Sequence, residues 1–524
     1  TGPFGYAEAA HLLRRTTYGP SHQQIKDAVA AGLEATVAQL LADEPMPDPP
    51  VNPDFEEDPW VPVGETWVDK PYPQPPNVAV GYRRRSLLAW QIERYLTEGT
   101  SAREKMTLFW HNHFVVEAAV VGDPKFLYRY ITLLRTNAFG NFRELTKQIT
   151  IDPAMLRYLN GNQNTNTAPN ENYARELLEL FTIGKGPQIG PGDYTNYTED
   201  DVIQIARVLT GWRDRGYFSI NPDVEVQSFF QANRHDTGDK QLSYHFDNLV
   251  ISNNWENEYS DLIDIIFSKA EVARFICRKL YRWFIYYDIT PQAEADVIEP
   301  MAQMLIDNDY ELMPVLETFF QSAHFFDMLN VGPMIKNPID FIMSVFKPFG
   351  VEFPQELSAR YRALIRTNRL LDPLQMVPFG PPNVAGWPAY YQEPAFYRIW
   401  ISSSTLPVRQ EFTDAIIQPN GIGVGGGNRL RIDVLALVQT LDNPSDPNAL
   451  IEELAAFMFP QPLTDAQKGY LKEVLIPGLP DYEWTVEYSE WAADPTNEDL
   501  AAPVDAKLRN LLQVMMAMPE FYLS

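Results

Sequence analysis

Cysteine is nearly absent from this chain. Cys277 stands alone among 524 residues, so no intrachain disulfide and no multi-cysteine zinc site can form. Its setting, Val272-Ala273-Arg274-Phe275-Ile276-Cys277-Arg278, reads as a packed helix and its thiol as an inert core group. Long apolar runs are missing too. A membrane-spanning helix needs roughly 20 apolar residues, and the most apolar stretch, Leu280 to Ile289, is broken by Arg282 and Asp288. Basic residues are in short supply, with 42 Lys plus Arg against 69 Asp plus Glu and a formal charge of -27. Such a surface repels phosphate backbones and anionic membranes at long range, which argues against nucleic acid as partner. A divalent cation or a basic protein fits it. The Gly-x-Ser-x-Gly elbow, the Walker loop, His-Glu-x-x-His and the EF-hand loop are all absent. Gly421-Ile422-Gly423-Val424-Gly425-Gly426 matches a dinucleotide fingerprint by letter, yet no strand precedes it and no βαβ unit surrounds it. No fixed-period repeat is visible, which excludes a solenoid.

What is present is ample core material: 45% hydrophobic and 13% aromatic residues rule out wholesale disorder. Apolar residues recur at helical spacing over most of the chain. The pattern predicts a mainly α fold, a large multi-helix body with long loops, a Pro-rich N-terminal arm and at most a small β-hairpin insertion. Residues 1–44 read as a helical pair and 45–80 as a proline-rich extended arm, where Trp60 and Trp67 suggest packing on a surface. Residues 81–212 read as a helical core and 213–253 as an irregular or small β insertion, with Val224 to Phe230 the best strand candidate. Residues 254–400 read as a helical region with a Pro/Gly/Trp loop, and 401–524 as a C-terminal helical region. Predicted helices run from Val80 to Thr97, Ser101 to Val116, Asn141 to Leu159, Asn170 to Thr182 and Asp261 to Tyr287. Thr198-Glu199-Asp200-Asp201 has the form of a capping box that opens another.

Rare polar residues inside these apolar helices are the natural place to look for chemistry, because desolvating imidazole or carboxylate is costly without a partner. Two of only seven histidines sit in Phe109-Trp110-His111-Asn112-His113-Phe114. On an unbroken helix His111 and His113 face different sides, so they chelate one ion only if the helix ends near Asn112. The alternative is a buried helix whose histidines bond backbone carbonyls. In Asn170 to Thr182, Glu176 and Glu179 are placed to share a hard cation or a proton. The same spacing equally describes a solvated Glu171–Arg175–Glu179 ladder. His235-Asp236 lies in a loop and suits general-base work or metal binding if that loop is held down. Pro381-Pro382-Asn383-Val384-Ala385-Gly386-Trp387-Pro388 fixes a rigid path that either presents Asn383 and Trp387 to a ligand or packs Trp387 into a junction.

Taken in order, these segments resemble the bacterial family catalogued as domain of unknown function 1800. The resemblance runs from His11-Leu12-Leu13-Arg14-Arg15 through Trp110 to Phe114, Asn170 to Gly184, Tyr197 to Val202 and Leu209-Thr210-Gly211-Trp212. It continues through His235-Asp236, Ile335-Lys336-Asn337-Pro338 and Pro381 to Pro388, and ends at Met518-Pro519-Glu520-Phe521. The Pro-rich segment and the Asn-rich loop before Asn170 look like the version found in Bacteroidetes-like bacteria. The resemblance implies an exported protein with a cleaved signal, often encoded beside a second exported protein of a sulfatase-like uncharacterised family. It implies no named activity. It favours one His/carboxylate site built from His111, His113, Glu176 and His235-Asp236. The residue chemistry then makes His111 and His113 expected ligands of a divalent metal or proton carriers, with Glu176 and Glu179 as acidic partners. Metal-assisted hydrolysis or oxidation is the expected reaction class. The competing expectation is a non-catalytic structural or docking component of a cell-surface or secretion assembly.

Overall fold

Helices begin where the sequence supplies caps. In the computed structural model, which describes residues 4–524, Ser21 and Gln24 close a capping box at the start of the His22–Ala31 helix. Thr198 and Asp201 do the same for Glu199–Val208. Asp152 caps Pro153–Tyr158 and thereby splits the predicted Asn141-to-Leu159 helix, whose first half is Phe142–Thr150. The predicted Asp261-to-Tyr287 helix is likewise two, Glu258–Phe267 and Ala270–Phe284. The fold is mainly α. Strand content is four two-stranded antiparallel sheets among the described residues, three more than the single hairpin expected. The expected strand is real but shorter, Gln227–Phe230, and it pairs with Trp212–Arg215. Gly421 to Gly426 is no dinucleotide loop; it enters a hairpin of Ile422–Gly425 and Asn428–Leu430.

A continuous apolar core runs from Ala9 to Tyr522. The ends of the chain meet on it. Leu523 bridges Ile335, and Arg14 donates to the carbonyls of Ala456 and Phe457 at 2.8 Å each. The N-terminal helices Tyr6–Thr16 and His22–Ala31 are thereby held beside the late helix Pro447–Met458.

Residues 45–76 contain no helix, and one bridge, Val51 to Thr66, ties them together. They are clamped to the Asn77–Thr97 helix that follows. Trp67 is buried with its Nε1 on Ser86 Oγ at 3.0 Å, and Asp58 forms a fully buried pair with Arg83 at 2.7 Å. Trp60, by contrast, is exposed.

Candidate functional site

The Arg103–His113 helix is buried on nearly every side and ends at His113. Its two histidines point to different neighbours. Tyr130 Oη donates its one proton to the Phe114 carbonyl at 2.6 Å, so at 2.9 Å His111 Nδ1 is the donor to Tyr130. His111 Nε2 then accepts the Phe379 amide at 3.2 Å. Burial pushes this ring's pKa down to about 3, which keeps it neutral. His113 Nε2 donates to the Phe181 carbonyl at 3.0 Å, and Lys279 Nζ reaches both His113 Nδ1 (3.1 Å) and the Leu180 carbonyl (2.9 Å). Burial and the nearby Lys279 hold His113 well below the usual histidine range. Between them, Asn112 Oδ1 accepts the Trp387 amide at 2.9 Å. Three consecutive polar residues thus bond three separate parts of the chain. Both imidazoles are fully engaged, and no partner is common to the two.

The Pro378-to-Pro394 loop docks on this motif. Gly386 has φ +93°, and a Cβ there would lie 2.4 Å from Asn112 Oδ1, so only glycine fits. Trp387 is 1% exposed and packs edge-on to His111 at 5.7 Å. Of the two candidate ligand residues in this loop, Asn383 faces solvent, where it bonds Tyr391 Oη at 2.8 Å, and Trp387 belongs to the junction.

The helix Glu171–Glu176 passes into a π-helical turn, Leu177–Thr182. The wider turn shifts the face on which later side chains emerge, which a regular wheel does not anticipate. Arg175 pairs with Glu171 (3.2 Å) and Glu199 (2.8 Å). Glu179 accepts Tyr197 Oη at 3.1 Å and faces Lys185 at 3.5 Å. The three-residue ladder is therefore half formed. Glu176 is half-buried with no ion pair or hydrogen bond among the described residues. Burial, and then the neighbouring Glu179, raises its carboxyl pKa to about 7.

His235 and Asp236 are adjacent but diverge. His235 Nδ1 faces the Thr210 carbonyl (2.9 Å) and Nε2 faces Glu258 Oε1 (2.9 Å), while Lys240 Nζ holds Glu258 Oε2 at 2.6 Å. All three side chains of this His235–Glu258–Lys240 group are fully buried. Asp236 turns outward to a bidentate pair with Arg207 at 2.8 and 3.1 Å, which holds its carboxyl below the ordinary carboxylate range. Cys277 is buried, and burial pushes its thiol well above its ordinary value.

The structure does gather one set of three potential metal ligands, at residues the sequence did not mark. Among the described residues, His22, Asp442 and Glu453 place one ligand atom each within 4.8 Å of one another. His22 opens its helix and is 7% exposed. Its Nδ1 lies 2.7 Å from Tyr6 Oη, and its Nε2 is buried with no partner among the described residues. Burial, and then Lys26, lowers its pKa, which favours the neutral ring that metal ligation requires. Glu453 is fixed by the amides of Asp442 (2.7 Å) and Asn443 (2.9 Å). Asp442 is exposed and pairs with Lys26 at 2.6 Å. No local signal pointed here: His22 and Asp442 are brought together only when the two ends of the chain pack.

The class defined by this fold is a mainly α protein with no helix long and apolar enough to cross a membrane among the described residues. Residues 11–523 match the family model described as protein of unknown function (DUF1800), and the chain belongs to that family. Neither a curated protein nor a solved structure matches it.

Proposed function

We propose that the protein holds a divalent metal ion between His22, Asp442 and Glu453 and uses it to activate water for hydrolysis. Two observations support it: His22, Asp442 and Glu453 each bring a ligand atom within 4.8 Å of the others, and His22 Nε2 is buried without a partner among the described residues. Leaving a buried polar atom unsatisfied costs about 1–3 kcal/mol, a cost that ligation would remove. With Nδ1 donating to Tyr6 Oη, Nε2 presents its lone pair, the arrangement by which a second neighbour orients a metal-bound imidazole. Three protein ligands leave a position for water, whose pKa a bound zinc lowers to about 7. The exposed Asp442 puts that position within reach of solvent.

The test is metal content of pure protein after equilibration with zinc or manganese. One bound ion per chain is expected, lost in Asp442→Asn and His22→Gln while the helical circular dichroism stays unchanged. Metal-free wild-type protein overturns the reading. In this account the chain works outside the cytoplasm, beside the sulfatase-like exported protein that the family resemblance suggests; fractionation of the native host checks both.

A second reading, a non-catalytic component of a surface assembly, draws on the internal bonding of His111, His113 and His235. A stable stoichiometric partner that co-purifies with metal-free chain from the native host favours it.

A further inference from the structure

A groove of about 450 Å³ lies between the Asn77–Thr97 helix, the Leu357–Leu371 helix and the Ile422–Gly425 hairpin strand. Four arginines line it: Arg85, Arg362, Arg366 and Arg369. The last three are spaced four and three apart, so they form one stripe along a helix face. All four are exposed. In a chain with a formal charge of -27, exposed arginines have carboxylates in excess to pair with. Arg362 does so, at 3.7 Å from Asp54 and 3.9 Å from Glu356. Arg85, Arg366 and Arg369 make no ion pair among the described residues, although all three face the same concavity. Like charges held together without a counter-ion repel one another, and a groove focuses their field.

The opposite wall is built for close approach. Gly423 lies on the exposed face of its strand with open space around its missing Cβ, and Gly425 has φ +92° beside Arg362. The ring of Tyr361 lies on the groove's lining and is itself buried.

We infer that this groove binds a small molecule or short oligomer carrying at least two oxyanion groups. Guanidinium forks match phosphate, sulfate and carboxylate oxygens in bidentate geometry. The stripe sets the spacing: one turn separates neighbouring arginines and two turns the outer pair, so the anionic groups stand about 5–10 Å apart. The groove volume is of the size small-molecule sites have. The acidic remainder of the surface keeps long polyanions away, so the contact is local and short-range. This inference is independent of the metal site, which lies on other helices.

Two probes separate the sources of such oxyanions. Isothermal titration of the full chain at low salt with tripolyphosphate tests a phosphate ligand; titration with a sulfated tetrasaccharide tests a glycan. Saturable binding of at least one is expected, weakening as salt rises. It should fall by about tenfold or more in the double variant Arg366→Glu/Arg369→Glu, a loss on the scale of two charge-assisted contacts. That variant should keep its melting temperature, since neither side chain has a partner to lose. Gly423→Phe, which fills the groove without changing charge, should weaken binding as well. No saturable binding of either probe, or binding undiminished in both variants, overturns the inference.

Discussion

His111 shows how a conspicuous residue can be structural. Its two nitrogens are occupied by Tyr130 and the Phe379 amide, and its folded pKa is about 3 against an ordinary 6.5. A depressed histidine binds fewer protons folded than unfolded, so its stabilising contribution is complete above pH 6.5 and is lost as pH falls towards 3. The slope for one such group is at most about 1.4 kcal/mol per pH unit. His111→Gln, whose amide donates and accepts in similar places, should lower the proton uptake on acid unfolding by about one. Glu176 runs the other way. Its pKa, raised from 4.5 to about 7, means that stability is present below pH 4.5 and is lost as pH rises through 7. Glu176→Gln should therefore gain about 1 kcal/mol at pH 8, after discounting for solvent screening, and nothing at pH 4. Urea unfolding at the two pH values decides it. At Gly386, alanine forces a Cβ against Asn112 in a φ +93° backbone and should cost about 1–3 kcal/mol. The rarity of these polar residues made them legible in the sequence. Their partners were not, because Phe379, Phe181 and Trp387 offer backbone atoms, which leave no signature in residue type.

Helix existence was readable where caps and apolar spacing agree, as at Ser21 and Thr198. Helix breaks were not, since Asp152 and Pro153 inside a long apolar pattern read as easily as a helix start as an interruption. The Leu357–Leu371 helix lies in the region expected to be helical, but its bounds were not legible, although Tyr361, Leu364 and Leu371 mark its buried side. Its arginines dilute the apolar pattern, and those same residues line the groove. The π-helical turn Leu177–Thr182 has no sequence rule of its own. It is braced from outside as well as within: His113 and Lys279 bond the Phe181 and Leu180 carbonyls, and Thr182 Oγ1 donates to the Leu177 carbonyl. Lys279→Met should accordingly speed amide exchange across residues 177–184 while leaving the Arg103–His113 helix protected. Equal protection in both proteins would mean the turn holds by itself.

At the scale of the whole molecule the sequence anticipated the mainly α class, and a His/carboxylate group within metal-binding distance exists at residues it did not mark. His111, His113 and His235 sit in separate networks and Glu176 bonds none of them, whereas His22, Asp442 and Glu453 meet because the two ends of the chain pack together. Contacts across more than 400 residues leave no spacing to read. Lys26 gives a test specific to this arrangement. It pairs with Asp442 at 2.6 Å, where a metal ion would compete with its charge. Lys26→Met should tighten zinc binding several-fold, an effect that an ordinary surface ion pair does not predict. The most direct measurement is anomalous diffraction at the zinc edge from crystals of the full chain soaked in zinc. The account predicts a peak about 2.0–2.2 Å from His22 Nε2 and from carboxylate oxygens of Asp442 and Glu453. Soaked crystals with no peak there, or with the peak at His111 or Glu176 instead, would contradict it.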